Sequence, residues 1–242
     1  MKLKYITISG ANEYTDCVEL ANLLQQFPMV EVGIQVSGEK CGYGSARLSW
    51  IMALYQHLLK SKIKANVALH LNKDWVESYC DNSLPHELEE LLSYKGYNGD
   101  PFIKRVQLNF KIGREKTPDM KSLCEAMIFY SDQRVIFSYN DSNAELIQKI
   151  YKSGFIFDNL FDSSFGRGIE PESREKPVFN NVLQGYAGGL GPENVAKVLQ
   201  SLKHIDANIY IDAQRKLEDD NEHLDLQKAK QFIVNALKAT RR

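Results

Sequence analysis

The stretch QGYAGGLGPENV, residues 184–195, reads as a strand that runs into a glycine pair and then into a helix. Gly188 and Gly189 tolerate positive φ angles and let the backbone approach an anion closely. Pro192 suits the first helical turn, and Glu193 suits the positively polarised end of a helix. The stretch therefore predicts either a phosphate seat at the end of a strand or an ordinary strand-to-helix turn, since glycine pairs occur in both.

Apolar β-rich runs alternate with longer amphipathic stretches along the rest of the chain. This alternation predicts repeated βα units and a mainly parallel sheet. Because there are eight candidate strands, we expect a closed (β/α)8 TIM barrel, with an open doubly wound sheet as the alternative. The predicted strands are residues 3–9, 30–37, 65–72, 103–110, 134–139, 155–161, 182–187 and 208–213, and the predicted helices are residues 15–26, 45–61, 85–94, 122–131, 142–152, 193–202 and 225–239.

Three connecting segments, residues 73–100, 111–120 and 163–181, are longer than usual connections. We expect them to be insertions in the βα loops, and residues 73–100 to form a lid or a partner surface. None is a low-complexity linker, so residues 1–242 are predicted to form one barrel domain. Gly-x-Gly-x-x-Gly and Walker A signatures follow none of the predicted strands, which disfavours a nucleotide-binding sheet.

Composition narrows the class of protein further. The chain has 242 residues, 43% hydrophobic and 25% charged, with 30 basic and 31 acidic side chains and a net charge of -1. This balance predicts no attraction to nucleic acid or to an anionic membrane. The chain contains no apolar run of about 18 residues and no signal-peptide core, so a cytoplasmic location is expected. No metal site is expected, because no Cys-x-x-Cys pair occurs and no histidine lies near Cys17, Cys41, Cys80 or Cys124.

Residues 187–195 resemble the strand-seven loop of the phosphoribosylanthranilate isomerase family. Further segments are similar in the same order: residues 5–10 to the first strand, and residues 32–36 with Ser45-Ala46-Arg47 to the second strand and its Ser-Pro-Arg loop. Residues 106–109 resemble the fourth strand, and residues 209–212, Glu218 and residues 225–233 resemble the eighth strand and the closing helix. The resemblance implies a TIM barrel that catalyses an Amadori, aldose-ketose isomerisation of a phosphorylated aminoribose in tryptophan biosynthesis.

The resemblance also implies a cysteine base and an aspartic acid. Ser9 stands at the cysteine position, and a hydroxyl is a poorer base than a thiolate. For the acid, Asp158 and Asp162 are four residues apart, and strand alternation places both on one face. Asp162 is favoured because it directly precedes a segment similar to the family's glycine-rich strand-six loop, and Asp158 is the alternative. A proton-shuttling reaction of this kind implies no cofactor.

Binding residues follow from the same resemblance. Arg47 is expected to clamp a substrate carboxylate, because a guanidinium matches a carboxylate in a bidentate pair, and a surface arginine near a helix start is the alternative. Asp212 ends strand eight and is expected to receive a sugar hydroxyl or the bridging amine. After that strand the family has Ser-Ser-Gly-Val-Glu where this chain has QRKLE, residues 214–218. The predicted phosphate seat consists of Gly166, Gly168, Gly188, Gly189, Arg215 and Lys216.

Three functions remain open at this point. The first is an authentic aldose-ketose isomerase, the second is a related barrel enzyme acting on another phosphorylated or carboxylated small molecule, and the third is a barrel that binds ligand without turnover. Ser9 and Lys216 favour the second or third, whereas Arg47, Asp162, Asp212 and the glycine pair favour the first. The expected partner is a small phosphorylated molecule rather than nucleic acid or membrane, and the sequence is compatible with a monomer or a homodimer.

Overall fold

Eight parallel strands close into a barrel in the computed structural model, which describes residues 1–37, 46–110, 118–162, 168–171 and 174–240. Each strand pairs with the next along the chain, and the last pairs with the first. The predicted (β/α)8 barrel is confirmed, and the open doubly wound sheet is excluded. The strands are β1 Lys2–Ser9, β2 Val30–Val36, β3 Asn66–Asn72, β4 Ile103–Asn109, β5 Arg134–Tyr139, β6 Asp158–Phe161, β7 Leu183–Tyr186 and β8 Asn208–Ala213.

Amphipathic helices cover the outside of this barrel. Apolar side chains face the sheet, as Ile147 and Ile150 do in the sixth helix. Aspartate side chains cap three of the described helices by accepting from backbone N–H groups of the first turn: Asp16 from Val18 and Glu19, Asp119 from Ser122, and Asp225 from Gln227 and Lys228. Within the described residues, no helix has the length and apolar character to cross a membrane. The helices are α1 Cys17–Gln26, α2 Leu48–Lys60, α3 Asp74–Cys80, α4 His86–Ser93, α5 Met120–Phe129, α6 Ala144–Lys152, α7 Val195–Ser201 and α8 Leu226–Thr240.

The segment between β3 and β4 belongs to the helical layer. It contains α3, which the sequence pattern missed, and α4, which it predicted. Tyr79 of α3 is fully buried and packs on Tyr130 with ring centroids 5.0 Å apart, while Leu88 of α4 is also fully buried. Its apolar side chains therefore complete the hydrophobic core, and a role of this segment as a lid or a partner surface stays a prediction.

The connection between β6 and β7 is built differently from the others. Its described parts, residues 168–171 and 174–182, contain no helix. Phe179 covers the sheet in its place, with its ring centroid 5.4 Å from that of Phe157, 4.9 Å from that of Tyr151 and 5.9 Å from that of Tyr139. This aromatic cluster (Tyr139, Tyr151, Phe157 and Phe179) replaces the apolar face that a crossover helix would supply.

A buried ion-pair network fills the interior near the amino ends of the strands. Arg105 donates from Nε and Nη2 to the two carboxylate oxygens of Glu31, at 2.7 and 2.5 Å, and from Nη1 to Asp158 at 3.0 Å. Its guanidinium carbon lies 4.3 Å from the ring centroid of Tyr210 and 4.8 Å from that of Tyr5. The network joins β1, β2, β4, β6 and β8, because each buried charge finds its partner on another strand.

We predict that Arg105→Met destabilises the protein by about 3–5 kcal/mol at neutral pH, because it leaves two carboxylates buried without a counter-charge. Urea unfolding measures the loss. Arg134→Met is the matched control, since Arg134 also belongs to a barrel strand but its side chain is exposed. Equal losses in the two variants would contradict a structural role for the network.

Candidate active site at the mouth of the barrel

Ser9 and Asp212 form a buried pair at the carboxyl ends of β1 and β8, the end called the mouth here. The Ser9 hydroxyl donates to Asp212 Oδ1 at 2.7 Å, and the two residues are 2% and 8% exposed. Burial raises the pKa of Asp212 to about 7, and the Ser9 hydrogen bond opposes that rise. A carboxyl group with such a pKa can accept or release a proton near neutral pH.

His70 lies beside this pair. It is 2% exposed, and its Nε2 has no hydrogen-bond partner within the described part of the chain. Burial lowers the pKa of His70 to about 4, so its ring is neutral at physiological pH. Gly33 allows the side chains of Ser9 and His70 to approach each other, because a Cβ at position 33 would stand 2.3 Å from Ser9 Oγ and 2.9 Å from His70 Nε2.

The two candidate acids occupy different layers of the barrel. Asp162 follows the last residue of β6 and therefore lies at the mouth, where its charge raises the pKa of Asp212. Asp158 is the first residue of β6 and belongs to the ion-pair network through Arg105. The observed strand begins at residue 158 rather than at residue 155, so the alternative acid is placed away from the mouth and already has a partner.

Arg47 lies on the loop that leads into α2, on the side of the barrel to which the strands point. Its side chain is 71% exposed, and Nε is 3.1 Å from Oε1 of Glu13 on the β1–α1 loop. The structure thus places Arg47 on the surface of the mouth rather than in contact with Asp212 or Ser9. Its role in binding a substrate carboxylate stays a prediction.

The predicted phosphate seat lies where the loops after β6, β7 and β8 meet, and its described glycines are Gly168, Gly188 and Gly189. Gly188 and Gly189 adopt positive φ angles of 85° and 63°. A Cβ on Gly189 would stand 2.4 Å from the backbone nitrogen of Glu170, and a Cβ on Gly168 would stand 2.7 Å from Cβ of Arg215. Residues 168–170 therefore pack between the loops after β7 and β8, and Gly166 lies outside the described residues.

Both cations of the predicted phosphate seat have carboxylate partners. Lys216 Nζ is 2.8 Å from Glu193 Oε1, and Arg215 Nη1 is 3.6 Å from carboxylate oxygens of both Glu218 and Glu222. Glu193 precedes α7 rather than beginning it, because the helix starts at Val195. A phosphate entering here would have to compete with the chain's own carboxylates for Arg215 and Lys216.

Sequence reasoning missed two residues near the mouth, His70 and Arg174. Arg174 donates from Nη1 to the carbonyl of Ala187 at 2.8 Å and from Nη2 to that of Gly188 at 3.1 Å. It lies in the β6–β7 connection, whose described residues contain no helix, and no periodic pattern marks it. The signal for His70 was present, because polar residues alternate with apolar ones near the end of β3.

A (β/α)8 barrel with titratable side chains at the carboxyl ends of its strands is the arrangement found in TIM-barrel enzymes. No protein-family model matches this chain, and a search of curated proteins also finds no match. Among solved structures, the chain is similar to the phosphoribosylanthranilate isomerase of Thermotoga maritima, with a TM-score of 0.55 and 15% identity over 98% of this chain and 99% of that one.

Two further structures extend this comparison. The N-(5'-phosphoribosyl)anthranilate isomerase of Pyrococcus furiosus gives a TM-score of 0.55 with 13% identity, over 97% of this chain and 98% of that one. A Rubisco-like protein from Rhodopseudomonas palustris gives 0.52 with 10% identity, over 98% of this chain and 65% of that one. The likeness to phosphoribosylanthranilate isomerases seen in the sequence is thus matched by a likeness in fold, and at these identities it is the fold alone that is shared.

We predict that Asp212→Asn changes the pH dependence of stability. An ordinary aspartate has a pKa of 3.8 and buried Asp212 one of about 7, so the folded wild-type protein loses stability as pH rises through this window. The free energy of unfolding of the variant, relative to wild type, should increase by up to about 4 kcal/mol from pH 4 to pH 7 and then level off.

Urea unfolding at several pH values tests this difference. Asp206→Asn is the control, because Asp206 is exposed and its replacement should leave the pH dependence unchanged. A constant difference between Asp212→Asn and wild type across the window would show that Asp212 is ionised at low pH like an ordinary aspartate.

Proposed function

We propose that this protein is a phosphoribosylanthranilate isomerase-like enzyme that carries out an Amadori, aldose-ketose isomerisation by proton transfer. The observation that carries the proposal is the Ser9–Asp212 pair at the mouth, in which a buried carboxyl titrates near neutral pH. Asp162 supplies a second carboxyl at the same end of the barrel and acts electrostatically on the first. Such a reaction requires an acid and a base on one substrate, which these two groups provide.

The two carboxyl groups take separate roles in the proposed reaction. Asp162 gives a proton to the ring oxygen of an aminoaldose, so that the ring C–O bond breaks and the open-chain iminium forms. Asp212 then removes the proton from C2, and the resulting enol becomes the aminoketose. Asp212 thereby replaces the thiolate that Ser9 lacks, and its raised pKa makes it a stronger base than an ordinary aspartate. The hydrogen bond from Ser9 keeps its carboxylate in a fixed position.

Turnover of phosphoribosylanthranilate tests the proposal. Loss of substrate fluorescence gives the rate, and mass spectrometry identifies the ketose product. Asp162→Asn and Asp212→Asn should each lower kcat by about 10²- to 10⁴-fold, as expected for the loss of a general acid or base. Asp206→Asn, an exposed replacement in the loop that precedes the amino end of β8, should retain wild-type activity.

Ser9→Cys provides a second test, because it restores the residue that the resemblance implies. If Asp212 is the base, the cysteine variant should still lose its activity when Asp212→Asn is added. Activity that survives in the double variant would assign the base to position 9. Absence of turnover by well-folded wild-type protein would reject phosphoribosylanthranilate as the substrate.

A second candidate function is isomerisation of a related substrate that lacks a phosphate. The ion pairs of the predicted phosphate seat favour it, since Glu193 neutralises Lys216 and Glu170 packs against Gly189. An enzyme of this kind should show similar kcat/KM values for ribosylanthranilate with and without its phosphate.

Lys216→Ala distinguishes the two candidate functions. If the phosphate binds at the seat, this variant should raise KM for the phosphorylated substrate by about tenfold or more, the value of a charge-assisted hydrogen bond. An unchanged KM would favour the substrate without phosphate.

A further inference from the structure

The buried His70 imidazole has an unused hydrogen-bonding atom in the barrel interior. Its Nε2 is buried and has no partner within the described residues, although buried polar atoms are rarely left without one. The ring is neutral, and in the tautomer that carries its proton on Nδ1, Nε2 is an acceptor. Such an acceptor is able to receive a hydrogen bond from a neighbouring donor that turns toward it.

The Ser9 hydroxyl is a candidate donor, because it borders the same space as His70 Nε2. The absent side chain of Gly33 leaves a space that both groups border, with Ser9 Oγ 2.3 Å and His70 Nε2 2.9 Å from the point where a Cβ would stand. In the observed state Ser9 donates to Asp212 instead, at 2.7 Å. A hydroxyl group has one proton to donate, so donation to His70 replaces donation to Asp212 and requires Ser9 Oγ to move toward Nε2, with which it makes no hydrogen bond in the observed state.

We propose that His70 is a positioning residue that receives the Ser9 hydrogen bond whenever Asp212 is protonated. In the ionised state, the Ser9 hydroxyl donates to the Asp212 carboxylate. When Asp212 takes up a proton, its new O–H donates to Ser9 Oγ, and Ser9 turns its own proton to His70 Nε2. No proton leaves Ser9 or reaches His70, so the relay reverses the direction of one hydrogen bond, forms a second one to His70 and changes no charge beyond that of Asp212.

This arrangement stabilises the protonated form of Asp212, which is the form it has after accepting a proton from substrate. The inference rests on the proposed function only in giving Asp212 that role, because the reversal itself occurs in the free protein. Other titratable and charged groups also act on Asp212, and they stay in place when His70 is replaced. They come from β2, from β4, from the residue after β6 and from β8 itself: Glu31, Arg105, Asp162 and Tyr210.

Titration of Asp212 in the free protein tests the inference. Carbon-13 NMR of aspartate-labelled protein follows the carboxyl group, and Asp212→Asn assigns its signal. His70→Leu removes the acceptor and should lower the midpoint by about 0.5 to 1 pH unit, as expected for the loss of one neutral hydrogen bond. A purely structural effect would act in the opposite direction, because a more apolar neighbour raises the pKa of a buried carboxyl.

Two further variants separate the relay from other effects. His70→Gln retains an acceptor oxygen and should restore much of the wild-type midpoint. In a Ser9→Ala background, His70→Leu should leave the midpoint unchanged, because the group that links Asp212 to His70 is absent. A fall of equal size in both backgrounds would overturn the inference.

The wild-type protein offers a test that needs no substitution. The nitrogen-15 shift of His70 Nε2 should change with the same midpoint as Asp212 while the ring stays neutral, because a hydrogen bond to Nε2 appears as Asp212 is protonated. The exposed His204 serves as the control. A His70 signal that does not follow the Asp212 titration would overturn the inference, whether or not the protein turns over phosphoribosylanthranilate.

Discussion

A closed barrel of eight strands cannot solvate charges that its strands place inside, so each such charge must be paired within the barrel. Arg105 satisfies this constraint by donating to Glu31 and Asp158 while its guanidinium lies over two tyrosine rings. The ion-pair network links strands that are distant in the sequence. It also holds Asp158, the first residue of β6, away from the mouth, whereas Asp162 follows the end of that strand.

Glycines inside the barrel determine which polar groups meet. Gly33 leaves the space in which Ser9 and His70 approach each other, and Gly185 leaves the space occupied by the Tyr210 ring, whose Cζ would lie 2.2 Å from a Cβ at that position. The interior is thus divided by size: a large aromatic side chain lies beside the ion-pair network, and small polar groups lie nearer the mouth. The proton chemistry proposed for Asp212 depends on this division, because burial is the main cause of its raised pKa.

The fold is shared with phosphoribosylanthranilate isomerases, and in this chain the loops after β7 and β8 place glutamates beside the cations of the predicted phosphate seat. The glycine pair has the backbone conformation that lets a chain approach a ligand closely, yet residues 168–170 lie against it. Lys216 and Arg215 are each within ion-pair distance of glutamates. Anion recognition at this place is therefore a balance between a substrate and the chain's own carboxylates, and that balance decides between the two candidate functions.

The sequence by itself determined the number of strands and their positions along the chain, because β-rich apolar runs alternate with longer amphipathic stretches. β5 and β8 were predicted to the residue, whereas α3 was missed because its seven residues are too short for a clear helical period. The pairing of Ser9 with Asp212 spans 203 positions, and only barrel closure between β1 and β8 brings them together. The pKa values of Asp212 and His70, and the carboxylate partners of Arg215 and Lys216, were likewise decided by tertiary structure, because burial and distance are properties of the folded chain.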